Sequence, residues 1–150
     1  MLHLVEITKD NWRDVIRLRS AEDEVNRQFE RFIASNTVSL AQASIEGTWT
    51  TRAIYHDDQL IGFAMYGYAV ELGGYEICRL MIDYRQQGKG YGKQSMALIL
   101  NELKKIEDCK DVLICFEPEN EIAKALYEQV GFHDTGQITH GELVYKLSFK

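Results

Sequence analysis

Arg85-Gln86-Gln87-Gly88-Lys89-Gly90-Tyr91-Gly92 is the stretch whose reading decides the fold. Its three glycines fall at alternate positions where a strand pattern gives way to a helix pattern. Without side chains the backbone can turn tightly there and bring its N–H groups up to a ligand. Those groups are the unpaired donors of a helix N-terminus, and the helix dipole makes the spot attractive to an anion. Arg85, Lys89 and Lys93 add positive charge, so a phosphate or pyrophosphate is the natural occupant. The common nucleotide motifs do not fit. The third glycine comes one residue early for G-x-G-x-x-G, and G-x-x-x-x-G-K-[ST] is absent. A glycine-rich turn that merely joins strand to helix stays open as the alternative for this segment alone.

Outward from the loop, Tyr75 to Ile82 reads as the strand before it. The helix after it runs from about Gly90 to Lys105, with Met96, Ile99, Leu100, Leu103 and Ile106 as its buried stripe. Val112 to Phe116 is a short apolar run of the kind found in strands covered on both faces. A helix from Glu121 to Val130 follows, capped by Asn120, stopped by Gly131 and buried along Ile122, Ala125, Leu126 and Val130. Two strands, Phe132 to Gln137 and Leu143 to Phe149, end the chain. On the N-terminal side, Leu2 to Ile7 is a strand, and Asp10 caps a short helix carrying Trp12, Val15 and Ile16. A second helix begins near Glu22, with Val25, Phe29, Phe32 and Ile33 at helical spacing. Thr51 to His56 and Gln59 to Tyr68 form a hairpin turning at Asp57-Asp58. The order β-α-α-β-β-β-α-β-α-β-β describes a mixed α/β domain with one central sheet.

Composition narrows the function. The 150 residues are 45% hydrophobic with one proline, which suits a single compact domain over residues 1–150. A net charge of −6 argues against nucleic acid as partner but leaves room for a cationic ligand. Cys78, Cys109 and Cys115 are odd in number and lack C-x-x-C spacing, so no disulfide framework is expected. The four histidines do not pair at i, i+4, and no metal is expected. No signal segment or membrane span is visible, so the expected location is the cytoplasm, with no membrane partner.

The Glu121–Val130 helix adds a second constellation. Asn120, Ala123 and Tyr127, at offsets of three and four, share one face, so an amide, a small residue and a phenol look the same way. Arg85-x-x-Gly88-x-Gly90, followed by Asn120…Tyr127…Gly131-Phe132, resembles the two acetyl-CoA motifs of the GNAT superfamily of N-acetyltransferases. The likeness covers essentially the whole chain. It implies a central mixed, mostly antiparallel sheet of about six or seven strands flanked by about four helices. Within the superfamily, Ile61 to Gly67, Arg79 to Asp83 and Gln87 to Gly90 resemble small bacterial spermine/spermidine acetyltransferases.

The resemblance implies roles for particular residues. Backbone amides of Gln87, Gly88, Lys89, Gly90, Tyr91 and Gly92, with Arg85 nearby, would hold the pyrophosphate of coenzyme A. Leu80, Met81 and Ile82 would pair with the pantetheine arm as an added strand does. A backbone N–H of Ile82 or Met81 would polarise the thioester carbonyl. Asn120 and Ala123 would line the arm, and Tyr127 would protonate the leaving thiolate. An alkylammonium, with a pKa of about 10.4, must lose a proton before it attacks. Glu76 is the candidate base, or is simply a solvated strand residue; by strand alternation it shares a side with Cys78, Leu80 and Ile82. Glu22, Asp23, Glu24 and Glu30 are candidates to hold the remaining ammonium groups of a polyamine, or are simply a solvated helix face. A homodimer is expected by analogy. The open alternatives are another acceptor (a protein N-terminus, a lysine or an aminoglycoside) and a coenzyme A-binding module without turnover.

Overall fold

The computed structural model describes residues 1–21 and 35–150. The elements are β1 (Leu2–Glu6), α1 (Trp12–Ile16), α2 (Asn36–Glu46), β2 (Trp49–His56), β3 (Gln59–Ala69), β4 (Gly74–Ile82), α3 (Tyr91–Lys104), β5 (Asp111–Phe116), α4 (Glu121–Val130), β6 (His133–Thr139) and β7 (Glu142–Ser148). Every strand lies within two residues of its expected limits. The seven strands form one sheet in the order β1-β2-β3-β4-β5-β7-β6. Among the described residues only β4 and β5 run parallel, so the sheet is mixed and mostly antiparallel, as expected.

Two apolar cores lie on the two faces of this sheet. One holds Ile54, Ile61, Ile77 and Ile82 against Met96, Ile99 and Leu103 of α3, and extends to Val112, Ile114 and Phe116 of β5. The other holds Ala53, Phe63, Met65 and Met81 against Val15 of α1, with Leu40 and Ala43 of α2 packed on it. The central strand β3 is therefore buried almost end to end. Strand β5 is less enclosed than expected. Val112, Ile114 and Phe116 are buried, but Leu113 and Cys115 are only half-buried.

The helices bring corrections. The N-cap position of helix α1 is Asn11 rather than Asp10, and its side chain does not cap the helix but ties back to the preceding chain, accepting from Thr8 N–H (2.8 Å) and donating to the Glu6 carbonyl (2.9 Å). The expected helix from Glu22 lies outside the described residues. Helix α2 has no counterpart in the sequence reading, since its apolar residues do not mark a buried stripe. Val38 and Ile45 are exposed, and the buried positions are Asn36 and Ser39. Its boundaries are nevertheless written in Ser35, whose hydroxyl accepts from Val38 N–H, and in Gly47 at φ +77°. In α3, Ile106 lies beyond the helix and is exposed.

The expected stripe of α4 is also rotated. Ile122 is 85% exposed and Ala125 is exposed, while Ala123, Tyr127 and Val130 pack on the core. The Tyr127 ring is the cause: it sits edge-on to Phe116 (5.3 Å) and Phe132 (6.1 Å), and burying a ring outweighs burying Ile122.

Close approach of β3 to β4 depends on Gly62. A Cβ there would meet the Met81 carbonyl at 2.5 Å and Ile82 Cδ1 at 3.0 Å. Gly62→Ala should therefore cost about 2 kcal/mol, the usual scale of overpacking. Thermal unfolding should show a fall in Tm of about 4–8 °C for a domain of this size.

Candidate active site

Strands β4 and β5 pair only at Tyr75↔Val112 and Glu76↔Leu113. Beyond these pairs they part, and β5 continues along β7 while β4 continues along β3. One edge of Ile77–Ile82 is thus left without a neighbouring strand among the described residues. Its backbone groups need partners, which is the condition under which an extended ligand is added to a sheet. The Gln87 amide serves one of them, donating to the Ile82 carbonyl (2.8 Å) and also to the Ser20 carbonyl (2.8 Å).

A cleft of about 470 Å3 opens along this edge. Leu80, Met81 and Ile82 form one wall, Gln87, Gly88, Gly90, Tyr91 and Gly92 its end, and Asn120, Ala123 and Tyr127 the opposite wall. Apart from Arg85 and Lys89, the residues expected to meet coenzyme A therefore come together, with Ile122 and Leu126 as additional apolar lining. Gly88 (φ +79°) and Gly90 (φ +81°) have left-handed backbone, so these two glycines are required by the turn. Gly90 caps α3, whose first-turn N–H groups have no partner within the helix. Gly92 has no such strain, and a side chain there would stand beside Leu126 (4.0 Å) in the lining. Asn120 is the N-cap of α4, its Oδ1 accepting from Ala123 N–H (3.1 Å).

The basic side chains do not follow the sequence expectation so closely. Arg85 and Lys89 are absent from the lining. Arg85 Nε donates to the Asp83 carboxylate (2.7 Å), and Lys89 Nζ donates to Gln86 Oε1 (3.0 Å). Asp83 is buried and also accepts from the backbone N–H of Arg19 (3.1 Å) and of Arg85 (3.3 Å). It ties the chain after α1 to the end of β4 and the start of the glycine loop.

A second cleft of about 500 Å3 lies past the other end of the free edge. Glu76, Cys78 and Arg79 of β4 line it with Gln42, Glu46 and Trp49, and with Glu71, Cys115, His140 and Glu142. Consecutive residues of β4 thus serve two clefts, Arg79 one and Leu80 the other. Strand alternation accounts for that change of side, but consecutive Cys78 and Arg79 line one cleft, and the register shows why. Met65 pairs with Arg79 but Tyr66 with Ile77, so Cys78 is an extra, bulged residue. The bulge overturns the expected alternation. Leu80 and Ile82 pack in the α3 core, whereas Cys78 packs in the α1–α2 core, and Glu76 does not share their side.

Burial pushes the Glu76 carboxyl up to about 6, with a bond from the Cys115 thiol and the charge of Arg79 opposing and Glu142 and Glu71 adding to the rise. Burial likewise pushes Cys78 up to about 12 and raises Cys115, so both remain thiols. Tyr127 is pushed up to about 12 by burial, helped by the charge of Glu142. Glu46 is held low because Trp49 Nε1 (2.6 Å) and the Gln42 amide (3.0 Å) donate to it. Sequence reasoning missed Glu46, Glu71 and Glu142, which come from three distant segments with no shared spacing. The acidic candidates Glu22, Asp23, Glu24 and Glu30 lie outside the described residues. No cluster of His, Cys, Asp or Glu fit for a metal occurs among the described residues. Among them, no helix is long and apolar enough to cross a membrane.

A seven-stranded sheet parted at one parallel joint, with a glycine loop and a capped helix across the opening, is the architecture of an acetyl-transferring fold. The family model described as Acetyltransferase (GNAT) family matches residues 5–132, and the chain belongs to that family. It is an acetyl-CoA-dependent N-acetyltransferase. A curated relative, the spermine/spermidine N(1)-acetyltransferase of Bacillus subtilis (strain 168), is 28% identical over 95% of each chain. Among solved structures, spermidine N-acetyltransferase from Vibrio cholerae in complex with CoA and spermine superposes with a TM-score of 0.72 at 17% identity, over 97% of this chain and 92% of that one. The PaiA N-acetyltransferase from Thermoplasma acidophilum in complex with coenzyme A gives 0.71 at 12% identity, over 99% of both.

Asp83 gives the first test of this site. Burial alone would raise its carboxyl, but the donors on Arg85 and Arg19 outweigh that and hold it below the ordinary value. The stability it contributes is therefore present above the unfolded value of about 3.9 and lost as pH falls through the lowered native value. Asp83→Asn should lower stability at pH 7 by about 1.5–3 kcal/mol, the scale of hydrogen bonds to a charged group. The deficit measured by urea unfolding should shrink as the pH drops below about 4.

Proposed function

We propose that this chain transfers the acetyl group of acetyl-CoA to a primary amine of a polyamine such as spermine or spermidine. The observation that carries this reading is the charge of the second cleft, where Glu46, Glu71, Glu76 and Glu142 face one arginine beside the cofactor cleft. A flexible polycation gains from several fixed carboxylates, and an acidic pocket raises its local concentration. The names of the Bacillus subtilis relative and of the Vibrio cholerae complex agree with this acceptor class.

The cofactor cleft fits acetyl-CoA on three features: the free edge of β4, the left-handed glycines, and the open first turn of α3. The N–H groups of Gly88 to Gly92 would hold the pyrophosphate, and Leu80 to Ile82 would hold the pantetheine arm. When bound, acetyl-CoA supplies the thioester that gives up the acetyl group.

The chain's own groups do the rest. Glu76, titrating at about 6, is ionised at neutral pH and accepts the proton of the attacking ammonium, directly or through water. The backbone donor at Met81 or Ile82 stabilises charge growing on the carbonyl oxygen, an effect of about 3 kcal/mol in comparable sites. Tyr127, kept protonated by its burial, donates to the sulfur. The cysteines take no part as nucleophiles, because burial keeps Cys78 and Cys115 as thiols.

Turnover of acetyl-CoA against a panel of amines, followed by released thiol, tests the acceptor. Spermine and spermidine should be acetylated well above aminoglycosides and peptide amines; the reverse order would overturn the polyamine reading. Tyr127→Phe should lower kcat by about 100-fold, the usual worth of a general acid, with acetyl-CoA affinity nearly unchanged. The pH profile of kcat/KM should show an inflection near 6 that Glu76→Gln abolishes.

A further inference from the structure

Among the described residues, Arg79 is the one arginine or lysine lining the second cleft. Its Nη1 donates to the Cys78 carbonyl (2.8 Å) and contacts the Cys78 sulfur (2.9 Å), and Nη2 reaches Gln42 Oε1 at 3.5 Å. Its Nε–H is buried without a hydrogen-bond partner. Among the described residues no carboxylate forms an ion pair with it, although Glu46, Glu71, Glu76 and Glu142 line the same cleft. A guanidinium locked to the β4 bulge, with a donor left unsatisfied, is a poor device for polar stability. It is a good device for placing a fixed positive charge among several negative ones, because it cannot lose its proton.

We propose that Arg79 is a positioning residue for the proton-accepting step, a fixed counter-charge that lets acidic side chains converge on the acceptor cleft while Glu76 stays ready to take a proton. The proposal rests on the reading of Glu76 as the base. Glu76 is faced by Arg79 and Cys78 of its own strand and by Cys115 of β5. It shares the cleft with Glu142 of β7, with Glu71 and His140 in the flanking turns, and with Glu46 of α2, and of these Glu142 and Glu71 act on it by charge. Of these, Arg79 alone carries a permanent positive charge. The Arg79 charge acts on Glu46, Glu76 and Glu142 alike, lowering each. Its attachment through the Cys78 carbonyl makes the bulge itself the part that sets where the charge sits.

The test is the pH profile of kcat/KM with spermidine for the wild type, Arg79→Gln, Arg79→Lys and Glu76→Gln. Without the positive charge the Glu76 carboxyl rises further, so the acid limb of Arg79→Gln should move to higher pH. The ratio of kcat/KM at pH 6 to that at pH 8 should then fall about fivefold, as an upward move of about one unit produces. Arg79→Lys keeps a charge but cannot reproduce both contacts to Cys78, and it should restore the limb to near its wild-type position.

An equal loss at every pH in both Arg79 variants would overturn the proposal and leave Arg79 a structural residue. A limb that vanishes in Glu76→Gln but stays put in Arg79→Gln would overturn it while sparing the role of Glu76. A limb that persists unchanged in Glu76→Gln would sink both. Titration of the Glu76 carboxyl by 13C NMR in the free protein reads the same shift without turnover. If Arg79→Gln does not fold, Arg79→Met enters the same titration, and an unmoved Glu76 in either charge-free variant rejects the idea.

Discussion

The structure depends on a joint of two residue pairs. Where Tyr75 meets Val112 and Glu76 meets Leu113, a meander of four strands is fastened to a group of three. If the pairing continued, the sheet would be closed and β4 would have no unsatisfied edge. Because it stops, backbone groups of β4 are left to an extended ligand. The space between the parting strands becomes a cleft walled in part by Tyr127, whose ring packs edge-on against Phe116. Each other part of the site answers to that opening. The glycine loop caps its end, α4 crosses its mouth, and the Asp83 network fastens the tip of β4 where the strand would otherwise fray.

The Cys78 bulge solves a second problem on the same strand. An acetyl transfer needs a dry wall for a thioester arm and a charged wall for an amine, close together. Strict alternation would put Glu76 on the side of Leu80 and Ile82, among the apolar contacts of the α3 core. One extra residue turns the strand's N-terminal half over, so that carboxylates gather on one side while the apolar wall is kept on the other. The burial that lifts Glu76 is then a consequence of where the strand places it, and Tyr127 is lifted by its own burial on α4.

Much of this was legible in the sequence wherever the signal is local. Gly88 and Gly90 announce left-handed backbone, Asn120 and Gly131 bracket α4, and Asp57-Asp58 marks the hairpin. These features depend on a few neighbouring residues, and each was found where expected. Helix α2 was missed because its caps speak clearly but its apolar residues do not; Val38 and Ile45 face outward. The face of α4 was misjudged because Ile122 looks more apolar than Tyr127, while the nearby rings of Phe116 and Phe132 decide otherwise. The bulge and the union of Glu46, Glu71 and Glu142 are properties of register and tertiary packing. No window of sequence contains them.

The two-pair joint also has a meaning in time. Strands β1 to β4, apart from the β1–β2 crossing, and strands β6 to β7 are linked to their neighbours by tight hairpins, whose ladders close over short loops. The joint closes only after the whole of α3 has been spanned, so loop-closure entropy ranks it among the slow steps of assembly. It also brings the fewest backbone pairs of any ladder in the sheet. The order expected from chain entropy is therefore that the β2–β3–β4 and β6–β7 hairpins form first, and that this weakest seam closes among the later, long-range steps. The binding cleft would then be among the last parts of the molecule to acquire its shape.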